Sequence, residues 1–313
     1  MLERVVALAL SVALFPVSGA AGEVPSSSSP APSETQTEMT IRKTVGEVRL
    51  AFHVSSRNGR AVAGVQREQI AVYQDGQLIH GLTSFSADQG LPLRLVLMID
   101  ASGSMSKGFD FERAAAAAFL RRVVRPGVDQ SAVVSFSTHV VHDLDADASS
   151  PQILHRIALL HSSGLTALFD AIHETATRVP AFDRQPDLTR RALILLSDGE
   201  DTYSRHSLND AITAAQRSDV VIYAVTAHNP KNREPGDLNL DRLTAATGGR
   251  VFYLKKFEHS EKVFAEIEQE IRSQYTVTFR PAGSTCGYHD VSVEPADRSL
   301  RTRSRSGFYR DCF

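Results

Sequence analysis

Three short segments of this chain carry carboxylates and small hydroxyls of the kind that hold a hard cation. The first is DASGSMS, with Asp100, Ser102 and Ser104; the second is GLTALFDA, with Thr166 and Asp170; the third is LLSDGED, with Ser197, Asp198, Glu200 and Asp201. Every side-chain donor among them is an oxygen. Oxygen donors suit Mg2+, which demands an octahedron of them at roughly 2.0–2.1 Å and commonly keeps some waters. Taken singly, each residue has a plainer role, as a loop serine, a helix cap or a turn aspartate after a strand. Asp170, Glu200 and Asp201 are read as solvated or supporting groups. Other chemistries are poorly served. Ser104-Met105-Ser106-Lys107 matches the S-x-x-K of acylating serine enzymes, but the companion S-D-N and K-T-G are absent. No G-x-S-x-G elbow and no H-E-x-x-H occurs, and the eleven histidines are scattered, His139 and His142 being the nearest pair. The expectation is recognition rather than turnover, with no catalytic residues.

Such oxygens, far apart in sequence, need elements that bring them to one place. Leu93 to Ile99 (LRLVLMI) is a continuous apolar run ending at Asp100, and a helix-forming stretch follows from Ala114 to Val124. The pair repeats: SAVVSF at Ser131–Phe136, helix-like material at Ile153–Leu160 and Ala167–Val179, ALILL at Ala192–Leu196, a helix from Ser207, DVVIYAV at Asp219–Val225, a helix near Leu240, and RVFYL at Arg250–Leu254. Ser207 with Asp210 three residues on reads as a capping box. Continuous apolar strands alternating with helices predict a doubly wound, mostly parallel α/β sheet. In such a sheet, ligands bind at the carboxyl ends of strands where strand order reverses, so the three segments can converge there.

The flanks differ. Between Ile41 and about Ser86, alternating runs separated by Asn58-Gly59 and Asp75-Gly76 predict two or three strands joined by tight turns. After a last helix at Glu261–Arg272, QYTVTFRP, YHDVSVEP and LRTRSRSGFY predict two or three more. Neither set can cover its own apolar face. Together they predict a small composite β-sandwich-like module, assembled from both ends of the chain, into which the α/β domain is inserted. The expected organisation is residues 1–20 as a signal peptide, 21–40 as a flexible linker, 41–90 and 274–313 as the two parts of the β module, and 91–273 as the α/β domain.

The signal-peptide expectation rests on Arg4, the apolar run Val5–Val17 and the small residues Ser18 and Ala20 before a cut near Ala20/Ala21. A run of thirteen residues falls short of the roughly 20 that span a bilayer, and nothing later reaches that length. Export to the periplasm or outside the cell is therefore expected, with no spanning segment after signal removal. In that setting Cys286 and Cys312, the two cysteines, are expected to form a disulfide, with a pair of inert thiols as the plain alternative. Lys and Arg total 34 against 36 Asp and Glu, a formal charge of −2, which leaves no broad basic field for nucleic acid.

The segments D-x-S-x-S, a later Thr and an Asp after a further strand resemble the metal-ion-dependent adhesion site of von Willebrand factor type A domains. Asp100, Ser102 and Ser104 fall on the first element, Thr166 on the second and Asp198 on the third. The order VxxxDGQ, LVLMIDASGSM, GLTALFDAI, ALILLSDGEDTYS, DVVIYAV, ATGGRVF, IRSQYTVTFRP and RSGFY is similar to a bacterial exported group with this domain and β flanks; Leu165 stands where that group often has a second glycine. The resemblance implies that Ser102 and Ser104 bind Mg2+ directly, with Mn2+ or Ca2+ as alternatives. It implies that Asp100 and Asp198 hold metal-bound waters, and that Thr166 binds directly or through water. It implies a protein partner offering a Glu or Asp carboxylate. The alternative is a structural or assembly subunit of an envelope complex whose metal mainly stabilises the fold.

Overall fold

The strand signals around the two tight turns become four strands in the computed structural model: β1 (Val48–Ser56), β2 (Ile70–Gln74), β3 (Gln77–Leu78) and β4 (Leu82–Ala87). Asp75 and Gly76 both take positive φ, which is what the two-residue hairpin between β2 and β3 requires. The structure describes residues 46–87, 90–143, 151–182, 189–254, 256 and 259–311, without the side chains of 142, 143, 181 and 182. The expected signal peptide and linker lie outside the described residues, as does Cys312, the second half of the expected disulfide.

The central region alternates as expected: β5 (Leu93–Asp100), α1 (Phe109–Val123), β6 (Gln130–Phe136), β7 (Val140–Asp143), α2 (Pro151–Leu159), α3 (Leu168–Arg178), β8 (Arg190–Leu196), α4 (Leu208–Arg217), β9 (Val220–Thr226), α5 (Pro235–Thr247), β10 (Val251–Tyr253) and α6 (Ser260–Arg272). The strands form a six-stranded sheet in the order β10-β9-β8-β5-β6-β7, parallel except for the antiparallel edge strand β7. β7 leaves no mark in the sequence: VVHD is four residues long, too short for a period to show. Residues of β5 divide between two cores. Leu93, Leu95, Leu97 and Ile99 meet Phe119 of α1 and Phe264, Ile267 and Ile271 of α6, while Val96 and Met98 meet α3, α4 and α5 residues such as Ile172, Ala215 and Leu240. Burial on both faces is why the strand is apolar without a break from Leu95 to Ile99, half-buried Arg94 alone departing at its start.

The chain closes with β11 (Tyr275–Phe279), β12 (Gly287–Pro295), β13 (Leu300–Ser304) and β14 (Gly307–Arg310). Among the described residues each end thus supplies four strands, not two or three, because β3 and β14 are too short to register as separate alternating runs. They interleave in two antiparallel sheets, β13-β1-β11-β4 and β14-β12-β2-β3. Leu50 and Phe52 of β1 share a core with Val72 of β2, Val277 of β11 and Val293 of β12, so the two sheets enclose one apolar layer drawn from both ends of the chain. Among the described residues, no helix is long and apolar enough to cross a membrane.

Candidate metal centre

β5 sits between β8 and β6, so successive connections leave it in opposite directions and a crevice opens at its carboxyl end. Asp100 is the last residue of β5, and Asp198 stands two residues beyond the end of β8. The two carboxylates therefore flank the β5/β8 crevice where strand order reverses.

Asp100 is fully buried and organises the turn after its strand. Its Oδ1 accepts the Ser102 backbone N–H at 3.0 Å, and its Oδ2 accepts the Ser197 hydroxyl at 2.6 Å. Burial pushes its carboxyl up to about 6, against the bonds from Ser197 and Ser102 and with the help of the Asp198 charge. The next residues form a short 3-10 turn, Gly103–Lys107, on which the Ser102 and Ser104 hydroxyl oxygens lie 3.1 Å apart. Ser102 is buried and Ser104 exposed, so this oxygen pair runs from interior to surface.

Thr166 reaches the group through its backbone. The Gly103 N–H donates to the Gly164 carbonyl at 3.0 Å, which joins the Thr166 loop to the serine turn. Gly164 has φ of +81°, and a Cβ there would stand 2.5 Å from Thr138 Oγ1, so only glycine permits this approach. On the other side, the Thr166 N–H donates to Thr202 Oγ1 at 3.0 Å, and its carbonyl accepts the N–H groups of Thr202 and Tyr203. Asp198 is half-buried, and its Oδ1 accepts the Glu200 N–H at 3.0 Å. Gly199, at φ +81°, lies against α5: a Cβ would sit 2.3 Å from the Gly236 carbonyl.

Of the solvated and supporting roles expected of them, Asp170 and Asp201 take the supporting one. Asp170 accepts the backbone N–H groups of Arg205 and His206 and bonds the His206 ring at 2.7 Å. Burial raises its carboxyl, and these bonds outweigh that and hold it below the ordinary range. Asp201 Oδ1 accepts the Phe169 N–H at 3.2 Å and the Ser204 hydroxyl at 2.5 Å. The Asp198 loop is thus latched onto the start of α3, beside Thr166. Asp170→Ala is expected to lower stability by about 1–3 kcal/mol by unmaking these bonds, and to speed hydrogen exchange at the Arg205 and His206 amides, read by mass spectrometry. Unchanged exchange there would refute the latch.

Glu112 belongs to none of the three oxygen-bearing segments. It lies on the buried face of α1 with Phe109, Ala115, Ala116 and Phe119, a helical spacing in which an acid is out of place. Of the nearest histidine pair, His139 is exposed and the His142 side chain lies outside the described residues. No group of three or more His, Cys, Asp or Glu able to hold a metal ion exists among the described residues. The candidate set is instead two carboxylates and three hydroxyls. Oxygen-only donors, a buried carboxylate and no thiol or imidazole among them fit a hard divalent cation rather than a soft one.

The family model for the von Willebrand factor type A domain matches residues 95–266. No curated protein matches the chain. Among solved structures, a D319A mutant of the PilB minor pilin from Streptococcus sanguinis is 15% identical with a TM-score of 0.46, over 58% of this chain and 62% of that one. A von Willebrand factor type A protein from Catenulispora acidiphila is 16% identical with a TM-score of 0.47, over 86% and 74%. Proximal thread matrix protein 1 from the mussel byssus, with a zinc-occupied metal-ion-dependent adhesion site motif, is 15% identical with a TM-score of 0.46, over 63% and 50%. The chain therefore spans less than two thirds of the pilin and half of the mussel protein.

Proposed function

We propose, from the premise that this chain belongs to the von Willebrand factor type A domain family, that it is an exported, non-enzymatic binding protein. It captures a protein partner through a divalent cation, Mg2+ in the first place, held by Asp100, Ser102, Ser104, Thr166 and Asp198. The observation that carries this reading is the crevice between β5 and β8. Support comes from Asp100, buried at the end of β5 and bonded to the Ser197 hydroxyl, from the serine pair 3.1 Å apart on the turn that follows, and from Asp198 two residues past β8, at a crevice of the kind where open parallel sheets bind ligands.

When bound, such a cation supplies a Lewis-acid position for an incoming Glu or Asp carboxylate, a charge-assisted contact that strengthens as water leaves. The work of the chain is to prepare for it. Ser102, Ser104 and Thr166 offer neutral oxygens, which leave positive charge for the partner, while Asp100 and Asp198 add negative charge beside them. The bonds from Asp100 to Ser102 and Ser197, and the latch on α3, set the loops in place before any ligand arrives.

Around this site the reading assigns residues 1–20 to an export signal, 21–40 to a tether, 41–90 with 274–313 to the β module and 91–273 to the inserted domain, with Cys286 and Cys312 paired. The rim segments at 139–164 and 227–237 set partner choice. Cross-linking pull-down from the native envelope tests the function. Capture is expected to disappear in chelator and return with Mg2+, while the chelated protein melts only a few degrees lower, as loss of a ligand of the native state requires. Capture indifferent to chelator would refute the adhesion reading, and collapse of the melt would favour a structural metal in an assembly subunit.

A further inference from the structure

The buried face of α1 carries one ionisable group into the protein. Glu112 is only 8% exposed, and its Oε2 is buried without a hydrogen-bond partner among the described residues. An acid oxygen taken out of water and given nothing in return is rare in a well-packed protein and calls for a reason. Packing does not supply one, because Ala115, Ala116 and Phe119 along the same face would tolerate an apolar neighbour equally well.

The surroundings of Glu112 supply it. Burial first, and then the charges of Asp100 and Asp198, push its carboxyl up to about 8. No lysine, arginine or histidine figures among the groups that shift Glu112, nor among those that shift Asp100. Glu112 lies in the first turn of α1, directly after the Gly103–Lys107 turn that carries Ser104, with an unmet oxygen, and among the described residues no side-chain cation answers it or Asp100. Elsewhere in this chain buried carboxylates are answered: Asp129 by Arg125 and Arg272, and Glu270 by Arg250 and Arg303. The contrast marks the α1 side of the crevice as built for a positive charge that no described side chain provides.

We infer that Glu112 is a sixth residue of the divalent-cation site, an acid contributed by α1 that raises cation affinity from behind Asp100 and Asp198. The inference rests on the metal-dependent reading above and extends it. It also links the loaded site to α1, the helix whose Phe119 packs edge-on against Phe264 of α6 at a centroid distance of 5.3 Å.

The test is Mg2+ titration calorimetry on the full chain and on Glu112→Gln, with thermal melts of both in chelator. Glutamine keeps the shape and removes the charge. Mg2+ is expected to bind Glu112→Gln at least tenfold more weakly than wild type, with Glu112→Asp recovering part of the loss. In chelator at pH 9, above the value of about 8 at which the Glu112 carboxyl ionises, Glu112→Gln is expected to melt at or above wild type, because it removes a charge that repels Asp100 and Asp198. Magnesium affinity within twofold of wild type, or a lower melt in chelator at that pH, would show Glu112 to be a packing residue and overturn the inference while leaving the five-residue site intact. Failure of the wild type itself to bind Mg2+ would overturn both.

Discussion

Replacing Asp100 with alanine is expected to weaken Mg2+ binding by about 100-fold or more, the upper end of what loss of a residue that orients metal ligands brings about. Two losses combine. The Ser102 N–H and the Ser197 hydroxyl, bonded to the two carboxylate oxygens at 3.0 and 2.6 Å, lose their acceptor, so the turn that carries Ser102 and Ser104 is no longer set. The buried negative charge that favours a cation also disappears. Asp100→Asn separates the two, since an amide oxygen can still accept from Ser102 while the charge is gone. The asparagine variant should therefore bind weakly but, in chelator, melt no lower than wild type, because burial makes the Asp100 charge a cost there. Calorimetric titration and melts decide it; an alanine variant with wild-type magnesium affinity would remove Asp100 from the site.

The largest effect on stability is expected at Asp129, far from the site. Its side chain is fully buried between the end of α1 and the start of β6. Oδ1 accepts the Leu93 N–H at 3.0 Å and Arg125 Nη2 at 2.9 Å; Oδ2 accepts the Arg125 N–H at 2.9 Å and Arg272 Nη2 at 2.7 Å. Arg272 also donates to the Val123 carbonyl, so one carboxylate ties β5, the α1–β6 turn and the end of α6 together. Burial raises its carboxyl, and the bonds from Arg125, Arg272 and the two amides outweigh that, holding it at about 2. Asp129→Ala leaves two guanidinium groups short of their acceptor and is expected to cost about 3–5 kcal/mol, a fall of roughly 10 °C in Tm. The pH dependence has a definite sign. A carboxyl depressed on folding stabilises above its unfolded pKa of about 3.9, and this contribution is lost as pH falls through that value towards 2. The gap between wild type and Asp129→Asn should therefore narrow on acidification from pH 5 to pH 2. A constant gap, or an alanine variant melting within 2 °C of wild type, would refute the role.

Asp129 and Asp100 illustrate how differently residues announce themselves. Asp100 stands at the end of LRLVLMI and opens D-x-S-x-S, so both its place at a strand end and its company are local facts. The Ser207/Asp210 capping box is equally local, and it forms with the Asp210 N–H donating to Ser207 Oγ and the Ser207 N–H to Asp210 Oδ2. Asp129 carries no such mark: its partners Leu93 and Arg272 lie 36 and 143 residues away. The same holds for Asp170, whose bonds to Arg205 and His206 span 35 and 36 residues, and which reads in isolation as a solvated helix acid.

What the amino-acid order determined by itself was whatever depends on neighbours within a turn or a strand. That covers the apolar runs that become β5, β8 and β9, the amphipathic helices between them, the glycine turns, and the hydroxyls and carboxylates of the candidate site. Tertiary structure decided the rest. It made β1 pair with β11 and β13 from the far end of the chain, added β7 at the edge, latched the Asp198 loop to α3 and buried Glu112 in the first turn of α1. Periodicity reports which face of an element is apolar, whereas what a polar side chain meets on that face is set by segments that arrive only when the chain has folded.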